Sequence, residues 1–464
     1  MASRSPDPSL AIHPHPVAHS PTHSPTHPRL PPHPHHPADD YAGPLDVVAL
    51  GNMCVDVLLP PAPIPSPETL KTAAALASFA DADPPESSWE VGGNCNFLIA
   101  AARIGLRAEC VGHVGDDKYG DFIKRVLADE GVPFRRLASE EFVRAAGEDM
   151  SKTLICFVLT DGDGGHAFCS RYDLGPWPLL ADVRGVDDAA ARSLGRARAV
   201  FVNGFVFDEM RPDAVGSAVA IAKANGAGVF FDPGPRAFTF VRDPERREAL
   251  DTILGAADVV LATLEEAAAL VDADAGARGH DATGADAVGG GVAEASLEPA
   301  AVAARLLARP GCAAQWVVIK CGPDGASIFT RRGDQVYVGA PRVDVGDTVG
   351  CGDSAAAAIV LGYAKIAAAR KKLFDASSGK IAYLPNAVLA ALMEETLTLA
   401  TAVGAATATR AGAGRNVARV EDVEKLLEGC AAGGEACVGF GINPDAAKRA
   451  RGMLDESLKK SGRR

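Results

Sequence analysis

The residues with the clearest capacity for chemistry are seven consecutive ones, Asp347 to Asp353, with the sequence Asp-Thr-Val-Gly-Cys-Gly-Asp. Strand-like residues precede them at 335–338 and 343–345, and an alanine-rich segment that favours a helix follows at 354–369. Glycine lets the backbone approach a ligand closely, and free N–H groups at a helix start attract phosphate. An aspartate in this turn can take a proton from a hydroxyl while the N–H groups hold the negative charge of a phosphoryl group in transfer.

A purely structural role is open on these residues alone, because Asp is a favoured helix cap and Gly favours turns. The seven residues and the helix after them resemble the carboxy-terminal signature of the ribokinase-like (PfkB) carbohydrate kinases. The resemblance implies that Asp353 is the catalytic base and that the backbone of Gly350, Cys351 and Gly352 forms the anion hole. Cys351 departs from the family, which has a smaller residue there. Thr348, in the same turn, is expected on the nucleotide side.

Two earlier segments resemble the acceptor side of that family. Asp56 follows the first strand and a Gly-Asn turn, where the family has an Asp that accepts hydrogen bonds from sugar hydroxyls. Gly93 and Asn96 open a helix, where the family has a Gly-Gly segment with an Asn, although this segment is one residue shorter. The resemblance implies that Asp56, Gly93 and Asn96 bind the acceptor. A turn aspartate and a glycine turn with an Asn cap are the structural alternatives.

Two other segments resemble the nucleotide side. The family has Asn-x-x-Glu where this chain has Thr263 and Glu266, so the resemblance implies nucleotide contact by Thr263 and metal organisation by Glu266. A Thr hydroxyl also accepts a hydrogen bond from a metal-bound water, and a helix cap with ordinary first-turn acids is the alternative. Lys320, Gly322 and Gly325 resemble the turn that lies near the phosphates and the base.

The elements that position these residues alternate between strands and helices from residue 199 onward, which predicts a parallel sheet. With the resemblance, we expect an α/β, ribokinase-like fold: a mainly parallel central sheet with helices on both faces, plus a small β lid. The kinase domain is expected at 41–430, with its lid formed by parts of 56–91 and 150–172. Residues 1–40, rich in Pro and His, and an insertion at 272–298 are expected to be disordered. Residues 431–464 are expected to form a polar tail, with a solvated helix that frays.

Composition excludes several functional classes. The net charge of −13 argues against a nucleic-acid partner, and no apolar run approaches the ~20 residues of a membrane span. No secretory signal is visible, so a cytoplasmic protein is expected, and the N-terminal tract is a poor match to a plastid transit peptide. The ten cysteines form no Cys-x-x-Cys pair, which predicts buried thiols, with neither a zinc site nor a disulfide framework.

The function expected is ATP-dependent phosphorylation of a hydroxyl on a sugar or sugar-like acceptor. Mg²⁺, ATP and a monovalent cation are the expected cofactors and co-substrate, and a homodimer formed through the lid is a further expectation. A catalytically silent scaffold with the same fold is the main alternative. A dinucleotide-dependent oxidoreductase is a second one, which the absence of Gly-x-Gly-x-x-Gly after the first strand disfavours. The identity of the acceptor stays open.

Overall fold

The structure is a computed structural model, and it describes residues 43–137, 152–161, 166–271, 298–376, 384–434, 437 and 441–464. The predicted N-terminal tail and, apart from Glu298, the predicted insertion at 272–298 lie outside the described residues.

A nine-stranded sheet forms the centre of the protein, in the order β13-β12-β11-β10-β9-β8-β1-β4-β5. The strands from β11 to β5 in this order are parallel, and β12 and β13 return antiparallel at one edge. The strands of this sheet are β1 Val47–Leu50, β4 Ala108–Gly112, β5 Phe134–Arg136, β8 Ala199–Asn203, β9 Gly228–Asp232, β10 Val259–Thr263, β11 Trp316–Lys320, β12 Ala326–Thr330 and β13 Gln335–Val338.

Helices cover both faces of this sheet because its strands are apolar on both sides. Along β1, Val47 and Ala49 join one buried cluster, and Val48 and Leu50 join another. The larger helices of the first face are α3 Asn94–Arg103, α4 Lys118–Asp129, α12 Cys351–Ala376, α13 Asn386–Ala408, α14 Val420–Ala431 and α15 Pro444–Lys460. Those of the second face are α5 Asp188–Arg196, α6 Val206–Glu209, α7 Pro212–Ala224, α8 Ala237–Arg242, α9 Pro244–Leu254, α10 Leu264–Val271 and α11 Pro299–Ala308.

A second, four-stranded sheet stands apart from the central one, and we call it the lid sheet. Its order is β3-β2-β6-β7, with β2 and β6 parallel and the other pairs antiparallel. Its strands are β2 Met53–Leu58, β3 Trp89–Gly93, β6 Leu154–Thr160 and β7 His166–Ser170. Only Gly51 and Asn52 separate β1 from β2, so this short turn joins the two sheets. The expected fold class is confirmed.

The long connection between β2 and β3 folds into two short helices, α1 Pro67–Leu70 and α2 Ala73–Asp81. Leu70 is buried, and Phe79 packs against Phe157 of β6 with ring centroids 5.4 Å apart. Phe157 pairs with Val57 across the sheet, on the opposite face from Asp56. The helices therefore cover the outer face of the lid sheet, and Asp56 lies on the inner face.

The C-terminal region corrects two sequence predictions. Helix α15 forms, but seven of its residues are buried, so it is not a solvated tail. The buried positions recur every three or four residues, a stripe that the polar average composition concealed: Ala446, Ala447, Ala450, Met453, Leu454, Ser457 and Leu458. Cys430 and Cys437 form a disulfide, which the absence of Cys-x-x-Cys did not predict; the other eight cysteines are free.

Among the residues that the structure describes, two helices are long and apolar enough to cross a membrane, namely residues Cys351–Leu373 of α12 and the whole of α13. Their apolar windows are 44% and 61% buried inside the protein. The two helices pack against each other, and α12 also packs against α3. Their apolar side chains therefore pack against other helices of the protein.

Candidate active site

The predicted catalytic turn lies between β13 and α12, and Asp347 holds its shape. One oxygen of the Asp347 carboxylate accepts the N–H of Val349 at 2.9 Å, and the other accepts the N–H of Gly412 at 2.9 Å. Gly350 has a φ of +79°, a conformation that favours glycine. Helix α12 then begins at Cys351, so the turn ends where the helix presents its N–H groups.

The N–H groups of the predicted anion hole are not equivalent. The N–H of Cys351 donates to the carbonyl of Thr348 at 3.3 Å. Those of Gly350 and Gly352 have no acceptor among the described residues. The turn therefore offers two unsatisfied donors at the start of a helix, where the helix dipole also favours an anion.

Asp353 lies half-buried in the first turn of α12, next to Asn96. The Nδ2 group of Asn96 donates to Asp353 Oδ2 at 3.2 Å, although the two residues are 257 positions apart. Burial and the neighbouring charge of Asp232 raise the pKa of Asp353 to about 7, with a smaller contribution from Glu266. The Asn96 hydrogen bond and the charge of Lys320 act in the opposite direction. A carboxyl group with a pKa near neutrality suits a general base.

Lys320 is the cation of the site. Its Nζ lies 2.6 Å from Asp232 Oδ2, and a Cβ added to Gly352 would lie 3.4 Å from the same Nζ. Burial lowers the pKa of Lys320, but the charges of Asp232, Glu266 and Asp353 outweigh burial and raise it, so the ammonium stays charged. The lysine therefore lies against the glycine turn, where a phosphate group would also lie.

Asp56 faces the same region from the lid sheet. Burial raises its pKa to about 7, and the negative charges of Glu90 and Asp353 add to the rise, while a hydrogen bond from Cys54 opposes it. Cys54 Sγ lies 3.4 Å from Asp56 Oδ1. A Cβ added to Gly92 would lie 2.3 Å from Asp56 Oδ2, so the close approach of this carboxylate requires glycine there.

At the start of α3, Asn96 faces the site, whereas Gly93 and Asn94 contact the turn that joins the two sheets. Gly93, expected at the acceptor, has a φ of +59°, and a Cβ on it would lie 2.3 Å from the carbonyl of Asn52, which indicates a structural role. Asn94 is fully buried and donates to the carbonyls of Leu50 and Gly51 at 3.0 and 2.8 Å. Asn94 therefore fixes the junction of the two sheets, where the family has a small residue.

Thr263 and Glu266 form a reciprocal cap at the start of α10, which was the structural alternative. The N–H of Thr263 donates to Glu266 Oε2 at 2.7 Å, and the N–H of Glu266 donates to Thr263 Oγ1 at 3.2 Å. Burial raises the pKa of Glu266, and the charge of Lys320 opposes this rise. Glu266 thus interacts electrostatically with both Lys320 and Asp353.

The remaining nucleotide-side residues lie at the carboxyl end of β11 and in the turn. Gly322 and Gly325 both have positive φ, +54° and +93°, and a Cβ on Gly325 would lie 2.1 Å from the carbonyl of Val338. Gly325 therefore has a packing role in the turn between β11 and β12. Thr348 is exposed in the catalytic turn.

Acidic groups outnumber the cation in this region. Asp232, Glu266 and Asp353 act on one another electrostatically around Lys320. In the described part of the chain, no three His, Cys, Asp or Glu side chains converge to hold a metal directly. Mg²⁺ keeps several waters and takes one or two carboxylates plus substrate phosphates, so Asp232 and Glu266 fit a magnesium ion that arrives with a nucleotide.

Sequence reasoning missed three residues of the site. Asp232 ends the buried strand β9, and ligands bind outside the carboxyl ends of parallel strands, so its position was a usable signal. Glu90 and Arg415 form an ion pair with Nη2 and Oε1 2.7 Å apart. These two residues are 325 positions apart, and no local pattern joins them.

Comparison with known proteins identifies the family. A profile of the pfkB family carbohydrate kinases matches residues 84–419, well over half of the chain. The chain belongs to the pfkB family of carbohydrate kinases. It is therefore a sugar-kinase phosphotransferase, and the predicted resemblance is confirmed. The matched region contains the catalytic turn and α3, whereas β1 and Asp56 precede it.

Individual relatives of this kinase are distant. A 5-dehydro-2-deoxygluconokinase of Shouchella clausii is 26% identical over 68% of this chain and 82% of its own length. An ATP-dependent ribose-1-phosphate kinase of Halopiger xanaduensis is 28% identical over 59% of this chain and 74% of its own length. A putative ribokinase II of E. coli, solved in complex with ATP and Mg²⁺, has the same fold: the TM-score is 0.54 and the identity 22%, over 83% of this chain and 99% of that one.

Proposed function

We propose that this kinase transfers the γ-phosphoryl group of ATP to a hydroxyl of a sugar or sugar derivative, with Asp353 as the catalytic base. One observation carries the proposal. Asp353 lies half-buried in the first turn of α12, beside Asn96 of the acceptor side and Lys320 of the nucleotide side, and it interacts electrostatically with Asp56. Residues from both halves of the expected site therefore meet at one carboxylate.

Each part of the site has a role in this proposal. Asp56 and Asn96 hold the acceptor, so that one hydroxyl points at Asp353, which takes its proton as the new bond to phosphorus forms. The N–H groups of Gly350 and Gly352, together with the Lys320 ammonium, stabilise the negative charge on the phosphoryl group. The lid sheet covers the acceptor and excludes water, which limits hydrolysis of ATP.

Two ions belong to the proposal. Mg²⁺ would supply positive charge to the ATP phosphates, and Asp232 and Glu266 would hold it through water. A monovalent cation is proposed on the family resemblance, and an assay in potassium chloride against choline chloride tests it. Thr348, Gly322 and Gly325 are proposed to lie along the nucleotide.

The acceptor is proposed as a sugar, a sugar acid or a sugar phosphate. The relatives act on a dehydro-deoxygluconate and on ribose 1-phosphate by name, and their low identity to this kinase leaves the choice open. The reaction is proposed to occur in the cytoplasm, where ATP is available, without nucleic acid or membrane as partner. A homodimer through the lid would have to use surfaces other than the outer lid face that α1 and α2 cover.

The test is a phosphorylation screen of the purified chain with ATP and Mg²⁺ against neutral sugars, sugar acids, sugar phosphates, nucleosides and inositols. ADP release coupled to a phosphorylated product supports the proposal. Asp353→Asn should bind ATP normally and lose roughly two orders of magnitude or more in kcat, the usual size of a general-base contribution. ATP binding without product from any acceptor would instead favour the scaffold alternative, and full turnover by Asp353→Asn would refute the role of Asp353.

A further inference from the structure

Among the described residues, Arg415 of the main body holds the carboxylate of Glu90, on lid strand β3. Arg415 donates its backbone N–H to Glu90 Oε2 at 3.0 Å and its Nε–H to Oε1 at 2.9 Å, and its Nη2 donates to the carbonyl of Trp89 at 3.2 Å. Glu90 is only 7% exposed. Charge-assisted hydrogen bonds to a buried carboxylate are stronger than neutral ones, so Arg415 fastens this edge of the lid sheet to the main body.

The loop that carries Arg415 also determines how Asn96 meets the catalytic carboxylate. The N–H of Gly414 donates to Asn96 Oδ1 at 2.8 Å, so the amide nitrogen of Asn96 must point the other way. In that direction Nδ2 donates to Asp353 Oδ2. A path therefore runs from Glu90 to Asp353: hydrogen bonds join Glu90 to Arg415, Gly414 to Asn96 and Asn96 to Asp353, and the peptide bond between Gly414 and Arg415 links them.

Two further features hold the loop with Gly414 and Arg415 between the lid sheet and α3. Gly414 has a φ of +60°, and a Cβ on it would lie 2.5 Å from Glu90 Oε2, so a side chain there would separate the loop from the lid. Arg103, at the end of α3, donates to the carbonyl of Arg415 at 3.0 Å and also to that of Val417. The loop is thus anchored to α3 at both ends of the helix.

We propose that Glu90 and Arg415 are positioning residues of the phosphoryl-transfer site, which couple the lid sheet to Asp353 through Gly414 and Asn96. The inference rests on the proposed function for its kinetic meaning. With the lid strand seated on Arg415, Asn96 presents its N–H to Asp353 and favours the ionised carboxylate, which is the form that accepts a proton. When β3 moves away from the main body, the loop loses the contact between Arg415 and Glu90, and Asn96 is no longer held in one orientation.

The experiment uses the full chain with Arg415→Met, Arg415→Lys and Glu90→Gln, and Arg410→Met as the matched control. Arg410 lies in the same region and pairs with Asp422 at 2.6 Å, away from the lid sheet. Hydrogen exchange of β3 is measured without substrates. The pH dependence of kcat/KM for the best acceptor of the screen is measured in parallel.

Arg415→Met is expected to speed exchange in β3, lower kcat/KM at neutral pH by about tenfold, and move the acidic limb of the pH profile upward. Glu90→Gln should act in the same direction, Arg415→Lys should recover part of the rate, and Arg410→Met should match the wild type. Unchanged β3 exchange in Arg415→Met, or a loss of rate without movement of the acidic limb, would overturn the inference. Inactive wild-type protein would instead refute the proposed function, and exchange would still decide whether Arg415 holds the lid.

Discussion

Replacing Lys320 by Met is the most direct test of the electrostatics around the catalytic carboxylate. Lys320 Nζ lies 2.6 Å from Asp232 Oδ2, and its charge lowers the pKa of Asp353 against the effect of burial. Methionine keeps an unbranched apolar stem and removes the ammonium. Asp353 then loses its nearby cation, while the negative charges of Asp232 and Glu266 remain. Its pKa, about 7 in the wild type, is therefore expected to rise.

The size of the effect follows from the ionised fraction of Asp353. One opposite charge within about 4–6 Å shifts a carboxyl pKa by roughly 1–3 units. A rise of about 1 unit lowers the ionised fraction at pH 7 from about one half to about one in eleven, and a rise of about 2 units lowers it to about one in a hundred. Loss of ionised Asp353 alone should lower the rate at pH 7 by roughly 5- to 50-fold, and this part of the loss should recover as the pH is raised, whereas the loss of charge stabilisation at the phosphoryl group should not depend on pH.

The assay is kcat/KM for the acceptor at saturating ATP, from about pH 5.5 to about pH 10. Saturating ATP removes any contribution of Lys320 to nucleotide affinity. Lys365→Met is the control, because Lys365 forms a partly buried ion pair with Glu395 elsewhere on α12 and α13. A loss of rate in Lys320→Met that is equal at neutral and alkaline pH would refute the reasoning, since it would mean that ionisation of Asp353 does not limit the reaction.

Three further predictions follow from the structure. Gly92→Ala places a methyl group 2.3 Å from Asp56 Oδ2 and should displace this carboxylate. The KM for the acceptor should therefore rise by about tenfold or more, while the KM for ATP stays unchanged. An unaltered KM for the acceptor would contradict the role of Asp56. Burial raises the pKa of Glu209 to about 7, so the folded state retains a proton that the unfolded state releases near pH 4.5. Protonated Glu209 therefore stabilises the folded state at low pH, and this stabilisation is lost as the pH rises through 7. In urea unfolding, the free energy of unfolding of Glu209→Gln should therefore increase relative to that of the wild type by up to about 3 kcal/mol between pH 5 and pH 8. If the two proteins show parallel dependence on pH, the raised pKa of Glu209 is excluded. Cys430→Ser should lower the free energy of unfolding by about 2 kcal/mol, and a reducing agent should lower the wild type to the same value; a wild type insensitive to reduction would show that the Cys430–Cys437 bond is absent.

The parts of the site that sequence predicted best are those whose residues are contiguous. The turn from Asp347 to Asp353 contains its own glycines and leads directly into α12, so most of its local geometry follows from neighbouring residues, although the strand-like residues at 343–345 form no strand and Gly412 also holds Asp347. The parallel sheet was likewise predictable, because alternating strands and helices leave few other arrangements. Helix bounds differ from expectation by several residues, as at α12, where a helix was expected at 354–369 and forms at Cys351–Ala376.

What sequence could not supply depends on contacts between distant residues. The ion pairs of Lys320 with Asp232 and of Arg415 with Glu90 join elements far apart in the chain. The roles of Gly92 and Gly93 were also out of reach. Both are glycines, and only the structure shows that one lies against Asp56 and the other against Asn52. Helix α15 was misjudged because overall polarity was weighed above the spacing of its apolar residues.

The segment between α2 and β3, together with the start of β3, gives the lid sheet a second attachment to the main body. Beyond α2, Glu86 pairs with Arg125 of α4 at 2.5 Å, and Trp89 at the start of β3 packs against Tyr119 of α4 with ring centroids 4.4 Å apart. Helix α4 and Arg415 thus hold the same strand of the lid sheet, β3, at the neighbouring residues Trp89 and Glu90. The lid sheet must break these contacts before substrates enter or products leave. We therefore expect lid opening, rather than the chemical step, to limit the rate of the catalytic cycle.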